Sequence, residues 1–209
     1  MSKTITRLFD NYADATAAVR DLEQIGIAQG DLSIVASNAD GHHDDHAVRD
    51  HDGVNDHGDV SRGVSTGAML GGAGGLLAGL GLLAIPGLGP IVAAGWLAAT
   101  AAGAGIGAAG GAATGTIVGA LKEAGHDEND AHVYAEGVRR GGSLVSAKVP
   151  DELVGEAEAV LDRNGSVTAA TRGASYRESG WSSFDPDAPA YTSDQVREER
   201  TRYAQPARF

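Results

Sequence analysis

Five histidines, His42, His43, His46, His51 and His57, sit among seven aspartates and two arginines between Asn38 and Arg62. Imidazole and carboxylate groups together can ligate zinc, nickel or copper, and a chain free to move can wrap an ion without a preformed cage. The spacing matches no defined metal site. A solvated acidic linker accounts for the same residues, because so few apolar groups cannot offset the entropy of ordering the segment. His42, His43 and His46 are therefore candidates for weak metal binding or for pH sensing near the imidazole pKa, and no metal or cofactor is assigned. His126 and His132 flank a later helical pattern and read as surface or cap residues.

Other chemistry is thinner. Gly105-Ile106-Gly107-Ala108-Ala109-Gly110 has the GxGxxG spacing. A dinucleotide site requires that motif directly after a strand, with an acidic residue about 20 positions on to hold the ribose. An Ala/Gly stretch, not a strand, precedes it here, so small-residue packing is the reading even though Asp127 and Asp130 follow at about that spacing. The chain has no cysteine, hence no thiol nucleophile, disulfide or zinc-thiolate cluster. Asp151 and Glu152 stand at an expected helix start, where the helix dipole explains acids without catalysis. The chain reads as a protein that is not an enzyme.

The stretch that organises the rest runs from Gly63 to Leu121 and holds no charged residue. It breaks once, at Ile85-Pro86-Gly87-Leu88-Gly89-Pro90, so it reads as a hairpin turning at Pro86, Gly87, Gly89 and Pro90. Gly67, Gly71, Gly75 and Gly79 recur every fourth residue before the turn; Gly103, Gly107, Gly111, Gly115 and Gly119 do so after it. In helical arms each series lies along one face. Glycine inside a helix costs about 1 kcal/mol relative to alanine, and close backbone approach is the usual compensation. The expectation is a glycine-zipper helical hairpin over 63–121 that inserts in a bilayer or self-associates. Each arm reaches the roughly 20 residues that span a hydrocarbon core of ~30 Å. The alternative is a hairpin buried as core in a soluble regulatory or ligand-binding module.

Around the hairpin the periodicities alternate. Ile5 to Phe9 reads as a strand; Ala15, Ala18, Val19, Leu22 and Ile25 mark a helix; Leu32, Ile34 and Ala36 alternate as a second strand. After the hairpin, Ala131, Tyr134, Ala135 and Val138 form a helical face, started near Asp127 to Asn129 and stopped at Gly141-Gly142. Leu144 to Val149 is a strand, Leu153, Ala157, Val160 and Leu161 mark a helix with Pro150 at its start, and Val167 to Thr171 is a last strand. The fold class is α+β: two βαβ halves in a ferredoxin-like split sandwich with an inserted glycine-rich helical hairpin. The regions are 1–37, the first βαβ half; 38–62, the His/Asp-rich linker; 63–121, the hairpin; 122–171, a helix and the second βαβ half; and 172–209, an aromatic, largely disordered tail.

That tail holds six of the ten aromatic residues. Disorder is one reading of it. Docking onto the domain or a protein partner, with Trp181 as main anchor, is the expectation, because exposing so many rings to water is unfavourable. Thr192 and Gln195 have capping-box spacing and predict a helix to about Tyr203.

Leu83-Ala84-Ile85-Pro86-Gly87-Leu88-Gly89-Pro90, the Ala93-Ala94-Gly95 that follows, and Tyr134-Ala135-Glu136-Gly137-Val138-Arg139-Arg140-Gly141-Gly142 together resemble the bacterial general stress or heat-induced stress protein domain family. The resemblance spans roughly Lys3 to Thr171, leaving out the His/Asp linker and the tail. It implies a split α+β domain around a glycine-rich hairpin and a stress-associated role, and it implies no catalytic residues. A net charge of −12 argues against nucleic acid as a partner. The start Met1-Ser2-Lys3-Thr4-Ile5 has no apolar signal core, so the expected location is the cytoplasm, or the inner membrane if the hairpin inserts.

Overall fold

The computed structural model describes residues 2–39, 81–85, 87–100 and 116–204. Strand β1 (Ser2–Phe9) leads into helix α1 (Tyr12–Gln24), and a 3-10 turn at Gln29–Asp31 leads into β2 (Leu32–Ser37). Strands β3 (Gly81–Ile85) and β4 (Gly89–Gly95) follow, and residues 96–100 are helical. Helices α2 (Thr116–Glu123) and α3 (Glu128–Arg139) precede β5 (Ser143–Pro150). A 3-10 turn at Asp151–Leu153, then α4 (Val154–Arg163), α5 (Ala169–Glu178) and α6 (Ser193–Ala204) complete the chain. The protein is mixed α+β. Among the described residues five strands form one antiparallel sheet in the order β1-β5-β2-β4-β3.

The alternation that marks the strands in the sequence sorts their side chains to two faces. Ile5, Phe9, Ile34, Ala36, Val145 and Ala147 bury one face against Ala15, Val19 and Leu22 of α1 and Ala157, Val160 and Leu161 of α4. Leu8, Val35, Leu144, Ile91 and Ala93 bury the other against Ile117 and Leu121 of α2, Ala131, Tyr134 and Val138 of α3, and Tyr176 of α5. The helix starts follow their caps: Asn11 accepts from Asp14 N at 2.8 Å and Asp127 accepts from Asn129 N at 2.8 Å. Gly137 is needed within α3 because a Cβ there would lie 2.5 Å from Leu8 Cδ2, so its absence lets α3 settle on β1.

Three expectations are corrected. First, around the Pro86–Pro90 turn the arms are strands, not helices: Leu82 pairs with Val92 and Leu83 with Ile91, and β4 is bonded on its other side to β2. Glycines four apart share a face of a strand as well as of a helix, so their spacing does not choose between the two. Ile85, Ile91 and Val92 favour the strand, and Pro90, which cannot donate, sits where its carbonyl accepts from Asn38 N at 2.8 Å. Gly87 and Gly89 turn the chain at positive φ, 75° and 81°. Second, Val167 to Thr171 is not a strand: Val167 makes one bridge to Leu8, and the Thr168 hydroxyl then caps α5 by accepting from Thr171 N at 3.2 Å. Third, Pro150 ends β5 instead of opening α4.

The tail through residue 204 is folded onto the domain. A Cβ on Gly87 would lie 2.8 Å from Pro186 Cα, and one on Gly89 2.8 Å from Ala190 Cβ, so the segment before α6 crosses the β3–β4 turn. The capping box forms as expected, with Thr192 N donating to Gln195 Oε1 at 2.9 Å and Gln195 N to Thr192 Oγ1 at 3.3 Å.

Candidate functional site

Two polar constellations and one uncharged strand edge stand out among the described residues. The first constellation fixes the tail. Glu136 of α3, fully buried, accepts at Oε1 from Arg139 Nη2 at 2.9 Å and Arg140 Nε at 2.6 Å, and Arg140 Nη1 donates to Glu199 Oε2 of α6 at 3.1 Å. Burial works against the Arg140 charge, but hydrogen bonds to Glu136 and Glu199 hold the guanidinium above its ordinary pKa. The Arg140 guanidinium also lies 4.3 Å from the centre of the Tyr176 ring. Arg172 of α5 pairs with Asp10 after β1 and stacks 3.8 Å from the Tyr203 ring centre. Burial pushes the Asp10 carboxyl above its usual range, against the pull of Arg172. The gap left among these groups is about 10 Å³, room for one water at most, so the cluster is a lock of packed side chains.

The second constellation lies along the outer edge of β1. Thr6 Oγ1 is 2.7 Å from His126 Nε2 and 2.9 Å from Ser146 Oγ, and Tyr134 Oη donates to the Thr6 carbonyl at 2.7 Å. Arg7 Nη1 donates to the same carbonyl at 3.1 Å, and both Lys3 and Arg7 stand within 4 Å of Glu158 on α4. Burial pushes the His126 imidazole below its ordinary pKa; Asp130 opposes this and Arg7 adds to it. These side chains line an open cleft of about 450 Å³. A hydroxyl next to an imidazole is a general-base geometry in outline. Thr6 is buried and shares its hydroxyl with Ser146, so what the arrangement does is close the strand edge.

The third feature is β3 itself, Gly81-Leu82-Leu83-Ala84-Ile85, at the opposite end of the sheet. It has no charged residue and, among the described residues, pairs with β4 alone.

The residues singled out in the sequence are not gathered into one site. His42, His43 and His46, Gly67, Gly71, Gly75 and Gly79, Gly103, Gly107, Gly111 and Gly115, and Pro86 lie outside the described residues. So does Gly63-Val64-Ser65-Thr66-Gly67, a nucleophile-elbow spacing that the sequence reasoning passed over. Gly119 lies on α2 with nothing within 4 Å of where its Cβ would stand, so it makes no close backbone approach among the described residues. Gly87, Gly89 and Pro90 form the turn as expected. Trp181 packs edge-on to Tyr176 and is only partly buried, whereas Phe184 and Val196 are the deeply buried anchors of the tail. Among the described residues no group of three or more His, Cys, Asp or Glu side chains is placed to hold a metal ion, and no helix is long and apolar enough to cross a membrane.

The Glu136–Arg140–Glu199 lock was missed in the sequence. Glu136 and Arg140 do have the i, i+4 spacing of a helical ion pair, but nothing local links them to Glu199. Comparison with known proteins adds no relative: no protein-family model matches the chain, nor does any curated protein or solved structure.

Proposed function

We propose that this is a non-enzymatic, stress-associated protein that self-associates through its glycine-rich region on a ferredoxin-like α+β scaffold. The observation that carries the reading is the position of β3: a strand from the charge-free run 63–121 forms the outer edge of the sheet. An uncharged edge strand is a template for pairing with another chain, and proteins that avoid such pairing place charges, proline or a covering element there. The scaffold reading is supported by interleaving. Strand β5 lies between β1 and β2, and β1 lies between β5 and the Val167 bridge, so each βαβ half encloses a strand of the other. The final strand is then a single bridge, and β3–β4 extends the sheet beyond β2. The motifs shared with the stress protein family support the stress-associated role, and a cytoplasmic location with contact to the inner membrane belongs to the same proposal.

Of the two associations expected for the hairpin, self-association is the one the geometry favours, since residues 81–95 are committed to the sheet. Sedimentation velocity of the intact chain tests it. The protein is expected above monomer mass, and Gly107→Leu with Gly111→Leu is expected to alter that mass. A monomer at every concentration, recovered wholly in the high-speed supernatant of cells, would overturn the reading.

A further inference from the structure

We infer that two copies of the chain join through the outer edges of β3, antiparallel about a two-fold axis at Leu83, so that their sheets continue as one. This rests on the self-association reading above and names its contact.

The backbone phase determines which groups are available. In an antiparallel ladder, alternate residues point their N–H and C=O to one neighbour and the residues between point to the other. Pro90 has no N–H, and its carbonyl accepts from Asn38 N on the β2 side at 2.8 Å. Residues 89, 91 and 93 of β4 therefore face β3, and their partners are Ile85, Leu83 and Gly81. Leu82 and Ala84 are left with both backbone groups aimed away from the sheet. The same alternation holds at the far end, where Leu8 exchanges both bonds with Val167, with Leu8 N donating at 3.0 Å and Val167 N at 2.7 Å.

Leu82 and Ala84 lie one residue to either side of Leu83, which makes the edge self-complementary. An antiparallel second copy sets Leu82 opposite Ala84 and Ala84 opposite Leu82, and each opposed pair exchanges two hydrogen bonds. Such an isologous contact closes on itself as a dimer. Electrostatics favours this edge over the β1 edge. Two chains of net charge −12 repel, and Gly81–Ile85 brings no charge to the meeting of two copies. The β1 edge brings Lys3, Arg7 and Glu158 instead.

The test is sedimentation velocity of the full chain beside three variants, each first checked for an unchanged melting temperature. Ala84→Pro removes one outward N–H while leaving the bonds to β4, since proline is tolerated on an edge strand with its nitrogen outward. Leu83→Lys puts like charges at the axis. Both are expected to halve the mass of the associated particle. Thr4→Pro makes the same backbone deletion on the β1 edge and is expected to leave the mass unchanged. A monomeric wild-type protein would overturn the self-association reading itself. An associating wild type whose mass survives both β3 variants, or falls equally with Thr4→Pro, would overturn the β3 contact alone.

Discussion

The two ends of this sheet share one backbone pattern and are finished differently. At β1 the outward groups are managed one by one: Leu8 is bonded to Val167, the Thr6 carbonyl accepts from Tyr134 and Arg7, and Lys3, Arg7 and Glu158 set charge along the edge. At β3 the edge carries Gly, Leu, Ala and Ile and no charge. The devices on β1 are the ones that discourage a strand from pairing with another chain, and β3 has none of them among the described residues. Under the proposed self-association, this contrast among the described residues directs pairing to the β3 end.

The largest test of this contrast asks whether the guarded end depends on the tail lock. Glu136→Ala removes the buried carboxylate shared by Arg139 and Arg140, leaving Arg140 with Glu199 alone, and breaking a buried ion pair costs about 3–5 kcal/mol. Thermal denaturation is expected to show a drop of about 2–4 °C per kcal/mol for a chain of this length. The associated mass is expected to stay that of wild type, because the lock joins α3 to α6 and includes no residue of β3; a changed mass at unchanged fold would break the separation of the two edges.

A smaller effect is expected from opening the guard directly. Val167→Pro deletes the donor to the Leu8 carbonyl, and an unpaired buried acceptor costs about 1–3 kcal/mol. Beyond the lower melting point, this variant is expected to form larger particles than wild type, since a second edge becomes available; unchanged particle size would show that the Val167 bridge is not a guard. Tyr134→Phe takes away only the phenol that caps the Thr6 carbonyl, a loss of about 1 kcal/mol read from denaturant unfolding. Arg7 still donates to that carbonyl, so the mass stays the same.

The smallest effect is in pH. Burial holds the folded His126 imidazole below its ordinary value of 6.5, so the unfolded chain binds the proton first as pH falls. Stability from this group is therefore full above pH 6.5 and declines as the pH drops from 6.5 toward the folded pKa. Melting temperatures across that interval are expected to fall less steeply in His126→Gln than in wild type. Identical slopes would remove His126 from the β1 edge's pH response.

How much of this was legible in the sequence depended on whether the signal was local. Asp127 with Gly141-Gly142 bracketed α3, and Thr192 with Gln195 bracketed the start of α6, because caps satisfy nearby backbone groups. The alternation in β1, β2 and β5 placed the core. The β3–β4 strands were hidden because glycine and alanine pack weakly in either conformation, and a spacing of four suits both. Val167 and Thr168 read as a strand on propensity, yet a threonine hydroxyl serves equally as a helix cap. In the tail the aromatics pointed to docking against the competing reading of a largely disordered segment, and the choice of anchor was not legible. Phe184 buries its ring with no polar atom to satisfy, but the Trp181 Nε1 is buried without a hydrogen-bond partner, which disfavours deeper insertion. The Arg140–Glu199 pair joins residues 59 apart and left no local mark.

In the proposed dimer the outward amides of β3 are satisfied by a second copy. Amide hydrogen exchange measured against protein concentration reads this directly. The amides of Leu82 and Ala84 are expected to exchange freely in dilute solution and to become protected as the protein is concentrated. Leu83, bonded to Ile91, is expected to be protected throughout, and the outward amide of Thr4 on the β1 edge to be indifferent to concentration. Protection of Leu82 and Ala84 that is the same at every dilution, or free exchange even where the protein is most concentrated, would contradict the account.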